Sequence, residues 1–489
     1  MSARRLYGGV AAAVVLLCAG AWAVAQKAEA PAATPAAAPA SAPVANATPA
    51  AAPAAPAAPA DPVLERGRYL ARAGDCVSCH TAPGKPAFGG GLPMKTPFGT
   101  IVSTNITPDP EAGIGAYTEA EFARALREGV ARDGHRLYPA MPYPSFARVN
   151  DEDMHALFTF FRGGVQPVAQ KPPATDLPWP FSMRGLMIGW NWLYLDKGVY
   201  QSDTARSAEW NRGAYLVQGL GHCGDCHTPR SMLGGVKAAS DRKGELFLSG
   251  AVIDGWYAQP LRHTDRPTMA QWSSEDIVQY LQTGRTSHTA AFGAMVDVVQ
   301  NSTQHMSTQD LQAVAAYLQS LGMKDDAKGA SSPSSPPSPS SPSSPSSPQS
   351  PASLVAAAPK HPTALALRNG TVEGNSGAMV YLNNCNACHR SDGTGADKTF
   401  PALAGNSVVN AKDPTSLIRL VLAGSAMPST AKAPSPIAMP DFGWRLSDAD
   451  VASVLSFARS SWGNQGEAVT AAQVAKVRDT VKPVVAKNP

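Results

Sequence analysis

One short pattern recurs three times in this chain: Cys76-Val77-Ser78-Cys79-His80, Cys223-Gly224-Asp225-Cys226-His227 and Cys385-Asn386-Ala387-Cys388-His389. Two thiols one helical turn apart, followed at once by an imidazole, make the attachment signature of c-type haem. The thiols add to the porphyrin's two vinyl groups, and the next residue's imidazole reaches the iron. A single copy could equally be a redox dithiol or half of a zinc site. A zinc site wants a second pair at a defined distance, yet these pairs lie far apart. A thioredoxin-like dithiol wants a βαβ setting around it. Of seven cysteines, only Cys18 lies outside the three motifs. The expected cofactors are therefore three covalent haems, held by Cys76, Cys79, Cys223, Cys226, Cys385 and Cys388, with His80, His227 and His389 as axial iron ligands.

The flanks of the motif repeat as well. Gly67-Arg68-Tyr69-Leu70 and Gly213-Ala214-Tyr215-Leu216 precede the first two motifs, and Gly377-Ala378-Met379 with Tyr381 and Leu382 is a looser third copy. Each reads as an amphipathic helix ending at the attachment site. Two later helices follow in every copy. Thr118 with Glu121, Ser273 with Asp276, and Pro414 start the first of them. Asn150 with Asp153, Ser307 with Asp310, and Ser447 with Asp450 start the second. Apolar spacing is helical throughout and no stretch alternates like an extended sheet. The expected fold is all-α: three tandem cytochrome c domains, each a small helical unit around a covalent haem.

Between its attachment motif and its final helix, each copy offers a methionine in an apparent loop: Met141 before Pro142, Met295 after Phe292-Gly293-Ala294, and Met439 before Pro440. A loop thioether facing the imidazole is where the sixth iron ligand of such a unit belongs, and it raises the potential in favour of electron transfer. Met306 competes with Met295, and Met427 with Met439. A core methionine is the commoner fate of this residue. His135, His222 and His288 read as surface or pocket residues.

The first 25 residues resemble an export signal: Arg4 and Arg5, then an uncharged run from Leu6 to Val24, then Ala23-Val24-Ala25. Cleavage is expected, although about 20 apolar residues can also span a bilayer as a retained anchor. Leu17 before Cys18 argues against a lipoprotein. Residues 26–60 are an Ala/Pro-rich tether and 326–359 a Ser/Pro-rich linker, which is where many of the 44 prolines fall. The expected haem domains are 61–164, 202–322 and 361–464. A connector (165–201) ends in Trp190-Asn191-Trp192-Leu193, read as a helix lying against two units, and a tail (465–489) carries a weakly amphipathic helix. A net charge of +4 with no basic stripe excludes a nucleic-acid partner. No dinucleotide fingerprint, Ser-His-Asp pattern or flavin motif is present, so no catalytic residue is assigned.

The chain resembles the three-haem cytochrome c subunits of membrane-bound periplasmic dehydrogenases, such as the alcohol, gluconate and sugar-acid dehydrogenases. The resemblance rests on Gly89-Gly90-Gly91, Thr96-Pro97-Phe98-Gly99, Ser103-Thr104-Asn105-Ile106-Thr107-Pro108-Asp109, Leu137-Tyr138-Pro139-Ala140-Met141-Pro142-Tyr143, Gly221-His222-Cys223, Phe292-Gly293-Ala294-Met295, Asn301-Ser302-Thr303-Gln304 and Arg459-Ser460-Ser461-Trp462-Gly463-Asn464. The Ala/Pro and Ser/Pro segments depart from the family pattern. The resemblance implies an electron-transfer subunit, not an enzyme by itself. It would sit on the periplasmic side of the cell membrane and pass electrons from a catalytic flavo-, quino- or molybdo-protein subunit through three haems to ubiquinone. The alternative is an independent periplasmic carrier feeding a terminal oxidase. A peroxidase would need an open iron position, which three candidate methionines argue against.

Overall fold

A computed structural model describes residues 61–264, 268–322 and 362–481. The expected signal peptide (1–25), Ala/Pro tether (26–60) and Ser/Pro linker (326–359) lie outside the described residues. The first repeat runs through α1 (Pro62–Ala73), the attachment helix α2 (Cys76–His80), the hairpin β1 (Pro93–Thr96) and β2 (Gly99–Val102), then α3 (Glu119–Glu128), α4 (Tyr143–Phe146) and α5 (Asp151–Gly163). A connector helix α6 (Leu186–Tyr194) leads to the second repeat. That repeat comprises α7 (Ala208–Gln218), α8 (Gly224–His227), β3 (Ala251–Ile253), β4 (Trp256–Ala258), α9 (Ser274–Thr283), α10 (Ala294–Asn301) and α11 (Thr308–Ser320). The third has α12 (Pro362–Asn369), α13 (Ser376–Asn384), α14 (Asn386–His389), α15 (Thr415–Ala423), β5 (Ser425–Ala426), β6 (Ala438–Met439), α16 (Asp448–Ser460) and α17 (Ala471–Arg478).

The helices start where side chains satisfy their free N–H groups. Thr118 and Glu121 form a reciprocal capping box on α3, and Ser447 with Asp450 does the same on α16. Asn150, Ser273 and Ser307 accept from Asp153, Asp276 and Asp310, and Pro414 precedes α15. At their far ends α3, α9 and α15 stop at Gly129, Gly284 and Gly424, all at positive φ, a backbone that glycine adopts without a Cβ penalty.

In each repeat the first long helix crosses the last: α1 on α5, α7 on α11, α13 on α16. The glycine shared by the three upstream segments sits at each crossing. A Cβ on Gly67 would stand 1.9 Å from the Ala156 carbonyl oxygen, one on Gly213 1.9 Å from that of Ala313, and one on Gly377 2.3 Å from that of Ser453. Three separate hydrophobic clusters form around these crossings, centred on Leu70, Leu157 and Phe161, on Leu216, Ile277 and Leu311, and on Tyr381, Ile418 and Val451. The tail helix α17 packs on the third through Val474 and Val477.

The helical expectation was incomplete in one respect. Among the described residues the chain forms three two-stranded antiparallel hairpins, β1–β2, β3–β4 and β5–β6. Their strands are two to four residues long, too short for alternation to register as a pattern.

Adjacent repeats touch. The connector helix α6 spans the first two: the Tyr143 hydroxyl donates to Asn191 Oδ1 (2.5 Å), Asn191 Nδ2 to the Glu128 carbonyl (3.1 Å), and Trp190 Nε1 to the Leu233 carbonyl (2.9 Å). The second and third repeats meet where Tyr257 N donates to Ser416 Oγ (2.7 Å), Asn406 Nδ2 to the His288 carbonyl (2.8 Å) and Arg285 to the Ser435 carbonyl (2.8 Å). The Arg419 guanidinium stacks 4.7 Å from the Trp256 ring centre.

Candidate haem-attachment sites

Each attachment motif forms the last turn of helix before a bend. The first thiol of each pair packs against its repeat's hydrophobic cluster: Cys76 on the cluster that holds Leu70, Cys223 on that of Leu216 and Cys385 on that of Tyr381. All six cysteines are free. Burial pushes the Cys76, Cys223 and Cys385 thiols up to about 12, helped by the neighbouring thiol of each pair, and Cys226 to about 11. Among the described residues no group of three or more His, Cys, Asp or Glu side chains could hold a bare metal ion.

The histidines carry the clearest geometric signal. His80 Nδ1 lies 2.7 Å from the Thr104 carbonyl oxygen, His227 Nδ1 2.6 Å from that of Gln259, and His389 Nδ1 2.9 Å from that of Pro401. A carbonyl oxygen only accepts, so Nδ1 carries the proton and Nε2 keeps its lone pair. This is how proteins orient a metal-ligating imidazole and raise its basicity. Burial lowers the pKa of all three rings, more than the carbonyl bond raises it, and so favours the neutral form that ligates. Gln259 follows directly on β4, and Thr104 lies two residues beyond the end of β2. The strands missed in the sequence are thus the devices that bring an acceptor to the first two rings, while Pro401 reaches His389 from a loop. No sequence signal marks those acceptors, because any residue supplies a backbone carbonyl.

The methionines reach the same clusters as the thiols. Met141 packs on the cluster that Cys76 meets, Met295 on that of Cys223 and Met439 on that of Cys385. Met141 lies in a loop as expected. Met295 instead occupies the first turn of α10, and Met439 the strand β6. Both corrections have one cause, a local hydrogen-bonding partner the linear spacing did not reveal: the turn begun at Gly293, and Ser425 across the hairpin. Met306 also packs on the second cluster, whereas Met427 is buried without joining one. His135 pairs with Asp133, His288 stacks on Trp272, and His222 meets the Phe146 ring edge-on at 5.8 Å. The motif Arg459 to Asn464 braces the third site: Trp462 Nε1 donates to the Ser391 carbonyl and Asn464 Nδ2 to that of Leu403.

Paired free thiols, a neutral imidazole with Nε2 available, and an apolar wall suit a covalently held haem. The comparisons agree. Residues 375–462 match the cytochrome c family. The gluconate 2-dehydrogenase cytochrome c subunit of Pantoea cypripedii is 46% identical over 423 residues, covering 86% of this chain and 90% of that protein. The cytochrome c subunit of the quinone-type alcohol dehydrogenase of Gluconobacter oxydans (strain 621H) is 45% identical over 431 residues, 86% of this chain and 83% of that one. The fructose dehydrogenase cytochrome subunit of Gluconobacter japonicus is 36% identical over 437 residues, 88% and 85%. The chain belongs to the family of dehydrogenase cytochrome c subunits, proteins that transfer electrons and are not themselves the catalytic subunit.

Proposed function

We propose that this chain carries three c-type haems in three tandem cytochrome c domains and passes electrons from a catalytic dehydrogenase subunit to ubiquinone at the periplasmic face of the cell membrane. The observation that carries this reading is the threefold recurrence of paired thiols, an imidazole and a carbonyl acceptor on Nδ1. A haem held there would supply one-electron redox chemistry at its iron. The chain's residues do the rest: the thiols retain the group, the carbonyl bonds hold each ring's orientation, and the clusters exclude water. Met141, Met295 and Met439 are the proposed second axial ligands. The middle repeat touches both its neighbours, which supports a path through the second haem. Names of the relatives support a partner that oxidises an alcohol or a sugar acid.

Membrane association is supported by a ridge of exposed apolar side chains along the connector, including Trp179, Ile188, Trp192 and Leu193. An apolar face bearing tryptophan suits the bilayer interface.

The test is purification of the chain with its partners from detergent-solubilised membranes. Three haems per chain, reduced on adding an alcohol or sugar acid and reoxidised by a ubiquinone analogue, are expected. Recovery alone, unreduced by any such substrate, would replace this reading with an independent carrier. In the same preparation Met141→Ala, Met295→Ala or Met439→Ala lowers one haem's potential and removes its sulfur-to-iron absorption. A variant that changes neither refutes that ligand.

A further inference from the structure

The first two repeats are joined by a reciprocal exchange that the third does not share. Tyr69, on α1, donates to Asp310 Oδ2 in the second repeat at 2.5 Å and accepts from Ser307 N at 3.2 Å. Tyr215, on α7, donates to Asp153 Oδ2 in the first repeat at 2.6 Å and accepts from Asn150 N at 3.3 Å. Each tyrosine thus caps the final helix of the other repeat, on the carboxylate three residues inside it. Each carboxylate is also held by its own repeat's arginine, Arg66 Nε on Asp153 Oδ1 (2.8 Å) and Arg212 Nε on Asp310 Oδ1 (2.7 Å). Residue i of one repeat meets residue j of the other and the converse, the pattern of a two-fold interface, here within one chain.

The same symmetry reaches the attachment motifs. Asn301 Nδ2 donates to Ser78 Oγ at 2.8 Å, and Ser145 Oγ donates to Asp225 Oδ2 at 2.9 Å. Ser78 and Asp225 occupy the same position between the two cysteines of their motifs, so each motif is braced by the other repeat. In the third repeat the residue two after the crossing glycine is Met379, 40% exposed, and among the described residues the Asp450 carboxylate accepts from Ser447 of its own capping box and from no other repeat. Ser376 stands where Arg66 and Arg212 stand in the others.

We propose that Tyr69 and Tyr215 are positioning residues: their exchange onto Asp310 and Asp153 locks the first two haems into one rigid electron-sharing pair, to which the third is joined by a different kind of contact. The inference rests on the three-haem reading. Charge-assisted hydrogen bonds at a buried interface are the strong and directional ones, which is what a fixed distance and angle between two cofactors require.

The test uses the full chain with haems attached. Two rigidly held neighbouring haems give a split circular-dichroism couplet in the Soret band. In the Tyr69→Phe, Tyr215→Phe double variant, loss of couplet amplitude and a shift in the potentials of two haems are expected, at unchanged haem content. Met379→Ala leaves both as in the parent. A couplet and potentials equal to the parent's in the double variant overturn the proposal. If that variant is not recovered folded, Ser145→Ala with Asn301→Ala weakens the same pair from the other side, and an unaltered couplet there overturns it as well. Fewer than three haems per parent chain would overturn the three-haem reading instead.

Discussion

At the scale of single residues, glycine and histidine carry most of the design. Gly67, Gly213 and Gly377 are needed for close approach of two helix backbones, not for their own φ, since a Cβ at any of them would overlap a carbonyl oxygen of the crossing helix. Gly213→Ala is therefore expected to lower stability by about 1–3 kcal/mol, the usual cost of overfilling a packed contact, read as a lower denaturation midpoint of the haem-loaded chain. Gly189, inside α6, has nothing within 4 Å of its would-be Cβ. There the same substitution should stabilise by about 0.5–1 kcal/mol through helix propensity alone. Equal effects at the two sites would refute the crossing argument. The histidines were legible from the motif, but the carbonyl acceptors that hold their rings were not. Their orientation depends on carbonyls that lie 12 to 32 residues away in sequence.

At the scale of elements, the connector helix α6 shows how one segment serves two surroundings. Trp190 is buried and bonds the Leu233 carbonyl, while Trp192, two residues on, is 80% exposed. Trp190→Ala should cost about 3–5 kcal/mol, as loss of a large buried aromatic does, and make the connector sensitive to limited proteolysis. Trp192→Ser with Ile188→Ser should leave stability within about 0.5 kcal/mol, the usual range for surface changes, yet reduce co-flotation of the chain with phospholipid vesicles. Flotation unaffected by the second pair would remove this ridge from the membrane reading. Helix starts were legible in advance because caps act locally: Asn150, Ser273, Ser307 and Ser447 each bond an N–H three residues on. The hairpins were not, because β5 and β6 pair two residues each across a loop, and no local rule announces such a pairing.

At the scale of the whole molecule, the repeats are held together by polar contacts whose charge state matters. Burial alone would raise the Asp310 pKa, but hydrogen bonds from Arg212 and Tyr69 outweigh it and hold the carboxyl below its ordinary value of 3.8. A carboxylate depressed by folding contributes stability that is present above its unfolded pKa and lost as pH falls through its folded one. Acid should therefore loosen the contact between the first two repeats only below about pH 4, the usual carboxylate range. Asp310→Asn should remove that portion of the acid sensitivity in a pH titration of unfolding, and an unchanged acid limb would show that other carboxylates govern it. From its motifs alone the chain announced the cofactor chemistry, the helical repeats and the candidate ligands, because covalent attachment, helix capping and apolar periodicity all act over a few residues. The carbonyls that orient His80, His227 and His389, the strands that deliver two of them, and the exchange of Tyr69 and Tyr215 between repeats were settled by tertiary packing. Each joins residues distant in sequence through backbone groups or side chains that any local reading treats as ordinary, so only their meeting in space distinguishes them.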